Sequence, residues 1–556
     1  MFMVYLGLLL FLIVGVLSVY IGAVALRKSG QSLHQSLAQH SSYVRYMQDK
    51  HELNRFGYAQ QLTRYAGAFS AFGASFSTLS VLGGALFILG PAVAAGGPAI
   101  VGIGWPLLAL FAIATSCSLA MLASAFPLAG GCYHWAAACG GRRLAAMAGW
   151  LHLCGYILLT VVTNLFCADW INEMVGRLLG FDSTGWSLGG IALLMFLTQA
   201  AACAKGATSL GRIWSAMTWL HALFVLGLVA SLITLSWPGI FPLELLYDTA
   251  GIAPASSDSS LPFIVGLLLL QRLFVGSDAA AQLAEETVDP KINVPWSIYL
   301  SVVYVFIFGF VMFVVLLLHF PLGAAGYGSY GVLSIWIMDS WMGWGKALLW
   351  CLSPIIVLIC WSSGLGAMNT GARMLFAMAR DEAVPVSKWL SHISERYRAP
   401  VGSVVCTALA AIVIAAVVLS SGWRGSGEGL AVQLMLAVII AIQLACAIPI
   451  ALKIRARRQG IITAALIGPW QLGKLSPVMD AVSLVWFIAS TGGALWLLNG
   501  SMLAAACLIF IAFIVYVEAT FNNMKLKGTL RTRDTIAFTR MKMDEMIRIE
   551  RKFPQQ

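Results

Sequence analysis

The sequence predicts an all-α fold that crosses a membrane many times, and three observations predict it. Of 556 residues, 60% are hydrophobic and only 10% charged, with a mean hydropathy of +0.86; a soluble domain carries about 25% charged residues. Apolar runs of spanning length, ~20 residues for a hydrocarbon core about 30 Å thick, recur along the chain. Two of these runs carry polar residues and glycines at mid-membrane depth, which is tolerated only where a helix lines a protein-enclosed cavity.

In order, a leading run lies near 4–25. Twelve more follow near 69–91, 99–125, 144–168, 187–204, 213–236, 261–284, 295–320, 346–379, 401–421, 428–452, 477–498 and 501–520. No loop is long enough for a separate soluble domain. The chain is expected to divide into an extra N-terminal transmembrane helix (1–28), a cytoplasmic pre-core segment (29–68), a ten-helix core (69–455), two peripheral helices (456–520) and a basic cytoplasmic tail (521–556).

Net charge is +11, but its distribution argues against nucleic acid. With an external N-terminus and alternating spans, 30 of the 34 Lys and Arg fall on the inner side. Outside are only Arg177, Lys346 and Arg424, with Arg272 inside a span. This is the positive-inside bias, and it predicts a multi-pass protein of the plasma (cytoplasmic) membrane with the C-terminus in the cytoplasm. Ala23-Val24-Ala25 resembles a signal-peptidase site, but a signal peptide carries its positive charge before the apolar run. Here Arg27 and Lys28 follow it, so the leading helix is expected to be retained.

The eleven cysteines are scattered and show no paired CxxC spacing, so they read as small buried hydrophobes rather than metal ligands. A phosphate-binding GxxxxGK[ST] loop is missing from the sequence. So are an HxxxH cluster and a nucleophile elbow. No cofactor, metal or enzymatic activity is expected.

Chemistry concentrates in the two interrupted runs. Leu261 to Ala284 has 24 largely apolar residues, yet its middle holds Gln271, Arg272, Gly276, Ser277 and Asp278. Phe69 to Gly90 holds Ser75, Ser77, Thr78 and Ser80 ahead of Gly83-Gly84; adjacent glycines weaken helix by about 1 kcal/mol each relative to alanine. Opened helices expose backbone amides and carbonyls as ligands, while close helix packing through small residues is the alternative use of such glycines. The interruptions fall five spans apart, in the first and sixth spans of the main body. Corresponding breaks of this kind point to a 5+5 inverted repeat with a midplane binding site, as in secondary transporters.

Four blocks carry a resemblance: FSAFGASFSTLSVLGG (69–84), SAFPLAGGCYHWAA (124–137), FVGSDAAAQLAEET (274–287) and GARMLFAMARDEAVPVSKWL (371–390), with a weaker fifth, GPWQLGKLSPVMD (468–480). Together they resemble the amino acid–polyamine–organocation superfamily, in its amino acid/choline branch with the GABA and choline permeases. The resemblance covers about 60 to 520. It implies a ten-helix inverted-repeat core with discontinuous helices 1 and 6, followed by two peripheral helices. The leading helix and the tail lie beyond it. Two departures stand out: Ser277 replaces a usual tyrosine, and Arg272 stands where the family lacks a charge.

The substrate-binding residues expected from both breaks are Ser80, Val81, Leu82, Gly83 and Gly84 with Arg272, Phe274, Gly276, Ser277 and Asp278. Arg272 lies about 17 Å into its helix, too deep to snorkel. It is expected to pair with Asp278 or Asp169; the sharper alternative makes it a counter-charge for an acidic substrate group or a stand-in for a bound cation. His221, mid-span, is a candidate proton carrier, and Ser362 and Ser363 are candidate sodium ligands. Glu285 and Glu286, with Arg380 and Asp381, are expected to gate the inner mouth. Basic residues alternate with Met541, Met543, Met546, Ile547 and Ile549 in the tail, as in a helix lying on anionic lipid or in a merely solvated one.

The sequence thus predicts a secondary active transporter of a small amino acid or amine-bearing metabolite, by alternating access. Its partners would be that substrate, membrane lipids, and a proton or sodium ion as the co-transported ion, the proton favoured. A non-transporting membrane nutrient sensor on the same fold is the alternative. A reporter fused at residue 1 should be accessible from outside the cell, and cytoplasmic labelling there would refute the assigned orientation.

Overall fold

In hydrocarbon every peptide N–H and C=O must be satisfied within the protein, so apolar runs of this length fold as helices. The structure, a computed structural model, describes residues 2–39, 42–180, 184–236, 241–247, 261–319, 345–421, 423, 429–460, 467–498, 500 and 543–553. Twelve helical segments among them are long and apolar enough to span a membrane. No strand forms among the described residues, where Ala66 and Thr287 make an isolated bridge. The expected span at 501–520, Cys507, Arg424 and the tail before 543 lie outside the described residues.

The leading run forms α1 (Phe2–Gln39), longer than expected, followed by α2 (Ser42–Arg55). The first interrupted run forms α3 (Ala68–Leu79), α4 (Val81–Phe87) and α5 (Leu89–Gly96). A π-turn at Ile100–Gly104 enters α6 (Trp105–Ala125). Then come the short α7 (Gly131–Gly140), α8 (Arg142–Leu179), α9 (Gly185–Ala204) and α10 (Ala207–Ser236). The second interrupted run is α11 (Leu261–Gln271) with two 3-10 segments, Arg272–Phe274 and Ser277–Leu283. It leads into α12 (Pro290–His319), α13 (Gly345–Arg380), α14 (Ser387–Leu390), α15 (Val401–Ser420) and α16 (Gly429–Arg458). The chain closes with α17 (Ser476–Leu497) and α18 (Met543–Arg551).

Packing places α8 between α13 and α16, and α12 against α3 and α6. α1 lies on α12: Phe11 stacks on Phe310 with centroids 4.2 Å apart, and the Tyr299 hydroxyl donates to the Ser18 carbonyl. Its other side leaves Leu9, Leu12, Val16 and Val19 exposed, an apolar face suited to lipid.

The weak fifth block turns out to be an anchor. Its Trp470 is fully buried and donates its backbone N–H to Ser124 Oγ at 3.0 Å. Its Asp480, also fully buried, accepts from Lys453 Nζ at 2.8 Å and Arg457 Nη1 at 2.9 Å, tying α17 to α16. For residues 543–553 the expectation of a helix spread on lipid is corrected. Ile549 and Phe553 pack against Leu62, Phe376 and Ile393, and Glu550 accepts from Lys50 at 2.7 Å. Those apolar side chains gain protein contacts that the membrane surface would otherwise supply.

Removing the Asp480 carboxylate strands a buried ammonium. Asp480→Asn should therefore destabilise the protein by about 3–5 kcal/mol, read as a lower apparent Tm in detergent. Adding Lys453→Met should recover much of the loss.

Candidate functional site

The first break occurs at Ser80, whose backbone turns left-handed (φ 50°, ψ 85°) between α3 and α4. An unbroken helix would join the Leu82 N–H to the Thr78 C=O. Instead His221 Nε2 accepts from Leu82 N at 3.2 Å, and Ser363 Oγ donates to the Thr78 carbonyl at 3.1 Å. Ser80 Oγ accepts from Gly83 N, also at 3.2 Å. Gly83 and Gly84 were expected to be the break; they lie inside α4. Gly84 serves close packing, since a Cβ there would sit 2.3 Å from Leu273 Cδ2.

The second break falls at Gly276, as the sequence led us to expect, with φ at +115° after an extended Val275. Here too, side chains take over the freed backbone. Ser75 Oγ on α3 donates to the Ser277 carbonyl at 2.6 Å and accepts from Ala280 N at 3.0 Å. Arg272 Nη1 donates to the Val275 carbonyl at 3.3 Å. The expected Arg272–Asp278 pair does not form. Asp278 accepts from the Tyr156 hydroxyl at 2.7 Å and lies 2.5 Å from His152 Nε2. Asp169, the other expected partner, accepts from Trp423 Nε1 at 3.2 Å. Among the described residues no carboxylate lies within 4 Å of the Arg272 guanidinium, though the side chain is 5% exposed. The geometric reason is that α8 presents its histidine and tyrosine to Asp278, while Arg272 lies six residues earlier across the left-handed turn at Gly276.

Two cavities flank the second break. One lies between the breaks. Leu79, Ser80, Gly83, Gly84, Phe87 and Ile88 line it with Arg272 and Leu273, opposite Val162, Thr163 and Phe166 of α8, Cys360 and Ser363 of α13, and Met435 of α16. The other lies on the far side of the break, where Gln271 and Phe274 through Asp278 face α6, α16 and α17.

The expected site residues therefore separate. Ser80, Gly83, Gly84, Arg272 and Ser363 share the first cavity; Phe274, Gly276, Ser277 and Asp278 line the second. Phe274 packs on the Trp105 ring at 4.6 Å. Val81 and Leu82 are fully buried and line neither cavity. Ser362 donates to its own helix at Ile359 O. Sequence reasoning missed His152 and Tyr156; their i, i+4 spacing on an otherwise apolar span was the available signal.

At one end of the bundle, charges close over the breaks. Arg380 clamps Glu285 with bonds of 2.7 and 2.8 Å and stacks over the Tyr58 ring at 3.8 Å. Glu286 holds Arg373 Nη2 at 2.6 Å, and Asp381 accepts from the Tyr58 hydroxyl at 2.9 Å beside His134. All four charged partners of these two ion pairs are 16% exposed or less at the side chain. Burial would raise the Glu285 carboxyl, but Arg380 outweighs it and holds it below the ordinary range; at Glu286 burial prevails over Arg373 and raises it. Gating pairs were expected among Glu285, Glu286, Arg380 and Asp381. The pair between Glu285 and Arg380 forms, whereas Arg373 and Tyr58 were not foreseen.

Residues 67–527 match the family profile described as amino acid permease. The chain belongs to the amino acid permease family. It is 26% identical to the Amino-acid permease BAT1 of Arabidopsis thaliana over 458 residues, covering 78% of this chain and 86% of that protein. Identity is also 26% to the BAT1 homolog of Oryza sativa subsp. japonica, over 70% of this chain and 76% of the relative. The Low-affinity putrescine importer PlaP of Escherichia coli K12 is 26% identical over 55% of this chain and 65% of the importer. This permease is accordingly a multi-pass membrane protein of the amino acid–polyamine–organocation superfamily.

Ser75 bridges both broken spans of the permease. Ser75→Ala should remove two buried hydrogen bonds between the broken spans, at about 0.5–1.5 kcal/mol each. The expected readout is a lowered apparent Tm with membrane insertion unchanged.

Proposed function

We propose that this permease is a secondary active transporter of a small amino acid or amine-bearing metabolite, working by alternating access at the plasma membrane. The cavity between the two broken spans carries this reading, because it joins both breaks to three further spans at one point. The printed names of the relatives, amino-acid permeases and a putrescine importer, support the substrate class. The Glu285–Arg380 and Glu286–Arg373 pairs support a gate closed at the basic end of the bundle. The Lys and Arg distribution argues that this end faces the cytoplasm and that the N-terminus is outside.

Proton coupling remains our preferred energy source, but its carrier is reassigned. The His221 Nε2 lone pair accepts the Leu82 N–H, so protonating it would break the bond that caps the first break. His152 and Asp278 suit the task better. They form a buried acid–base pair beside the second break, and among the described residues His152 Nδ1 has no hydrogen-bond partner. A proton entering or leaving there changes the charge beside the hinge itself.

Two measurements on proteoliposomes test these readings. Uptake of labelled amino acids or amines distinguishes a transporter from a nutrient sensor. His152→Gln should retain substrate exchange but lose accumulation driven by an inward proton gradient; full gradient-driven uptake by the variant would remove this pair from the mechanism.

A further inference from the structure

We infer that the cavity between the breaks is selective for a net-anionic, carboxylate-bearing metabolite, with Arg272 as the group that binds the anion. This rests on the transport reading and deepens it. Among the described residues lining that cavity Arg272 is the one charged side chain; the others are apolar, glycine, hydroxyl or thiol. A guanidinium offers five N–H donors, and the hydrogen bond to Val275 O uses a single one.

The neighbouring carboxylates are already committed. Asp278 is held by His152 and Tyr156 and faces the other cavity; Asp169 accepts from Trp423. A buried arginine left without a carboxylate is costly, and a ligand's carboxylate is the natural group to complete it through two parallel hydrogen bonds. The chain also occupies two of the amides that a broken helix offers to an anion. The Leu82 N–H is taken by His221 and the Gly83 N–H by Ser80 Oγ. An entering carboxylate therefore meets Arg272, with the hydroxyl-bearing Thr163 and Ser363 on the adjoining walls. For a diamine the same arrangement is unfavourable: two ammonium groups would face a fixed positive charge with no acid among the described lining residues to receive them.

The test uses full-length protein in detergent and in proteoliposomes, with L-glutamate, succinate, L-leucine and putrescine as probes. Wild-type protein should bind and take up glutamate or succinate with roughly tenfold or better preference over leucine and putrescine; glutamate against succinate shows whether an amino group is also required. Arg272→Gln should lose that preference by roughly tenfold or more while its ligand-free apparent Tm holds, and Arg272→Lys should fall between. If Arg272→Gln does not fold, the wild-type ranking decides alone. Leucine or putrescine preferred by wild type, or undiminished glutamate affinity in Arg272→Gln, overturns the inference and leaves the transport reading standing. Folded wild-type protein that takes up none of the four overturns both.

Discussion

A helix interrupted inside a membrane leaves peptide groups that no water can satisfy, and the rest of this structure is arranged around meeting that need. Each group freed near Ser80 or Gly276 for which a substitute is seen receives it from a side chain. His221 and Ser363 replace the missing bond between Leu82 and Thr78. Ser75 reaches from one broken span to both a carbonyl and an amide of the other. In hydrocarbon each unsatisfied group costs several kcal/mol, so these few hydroxyls and one imidazole hold the breaks in place. Because they come from α3, α10 and α13, any movement of a broken span must exchange partners with its neighbours. The position of each break is thus set by other helices.

Charge follows a complementary rule. Where carboxylates and basic side chains are buried at the end of the bundle, they meet with short contacts, as in Glu285–Arg380, Glu286–Arg373 and Asp480–Lys453. Such pairs are weak evidence for stability but strong specifiers of position, since losing one partner strands the other. At mid-depth the pattern changes. Asp278 is neutralised by a histidine and a tyrosine of α8, and Arg272 meets a single carbonyl. Charges are matched in pairs at that end of the bundle, and at mid-depth Arg272 is met by a backbone carbonyl beside the cavity between the breaks.

The sequence by itself determined that the chain crosses a membrane many times, where the second break lies, and which family it belongs to. Those properties are local or compositional: run length against bilayer thickness, a glycine that takes positive φ at position 276, and contiguous blocks of residues. Tertiary structure alone decided which groups meet. The first break sits at Ser80 rather than at the glycines because neighbouring helices supply substitutes for its backbone bonds, whereas Gly84 is needed to admit Leu273. Arg272 and Asp278 look paired at six residues apart, yet the left-handed turn between them sends one toward each cavity and delivers Asp278 to α8. Sequence separation is blind to such outcomes, because a partner in a membrane bundle is chosen by which helix faces the group.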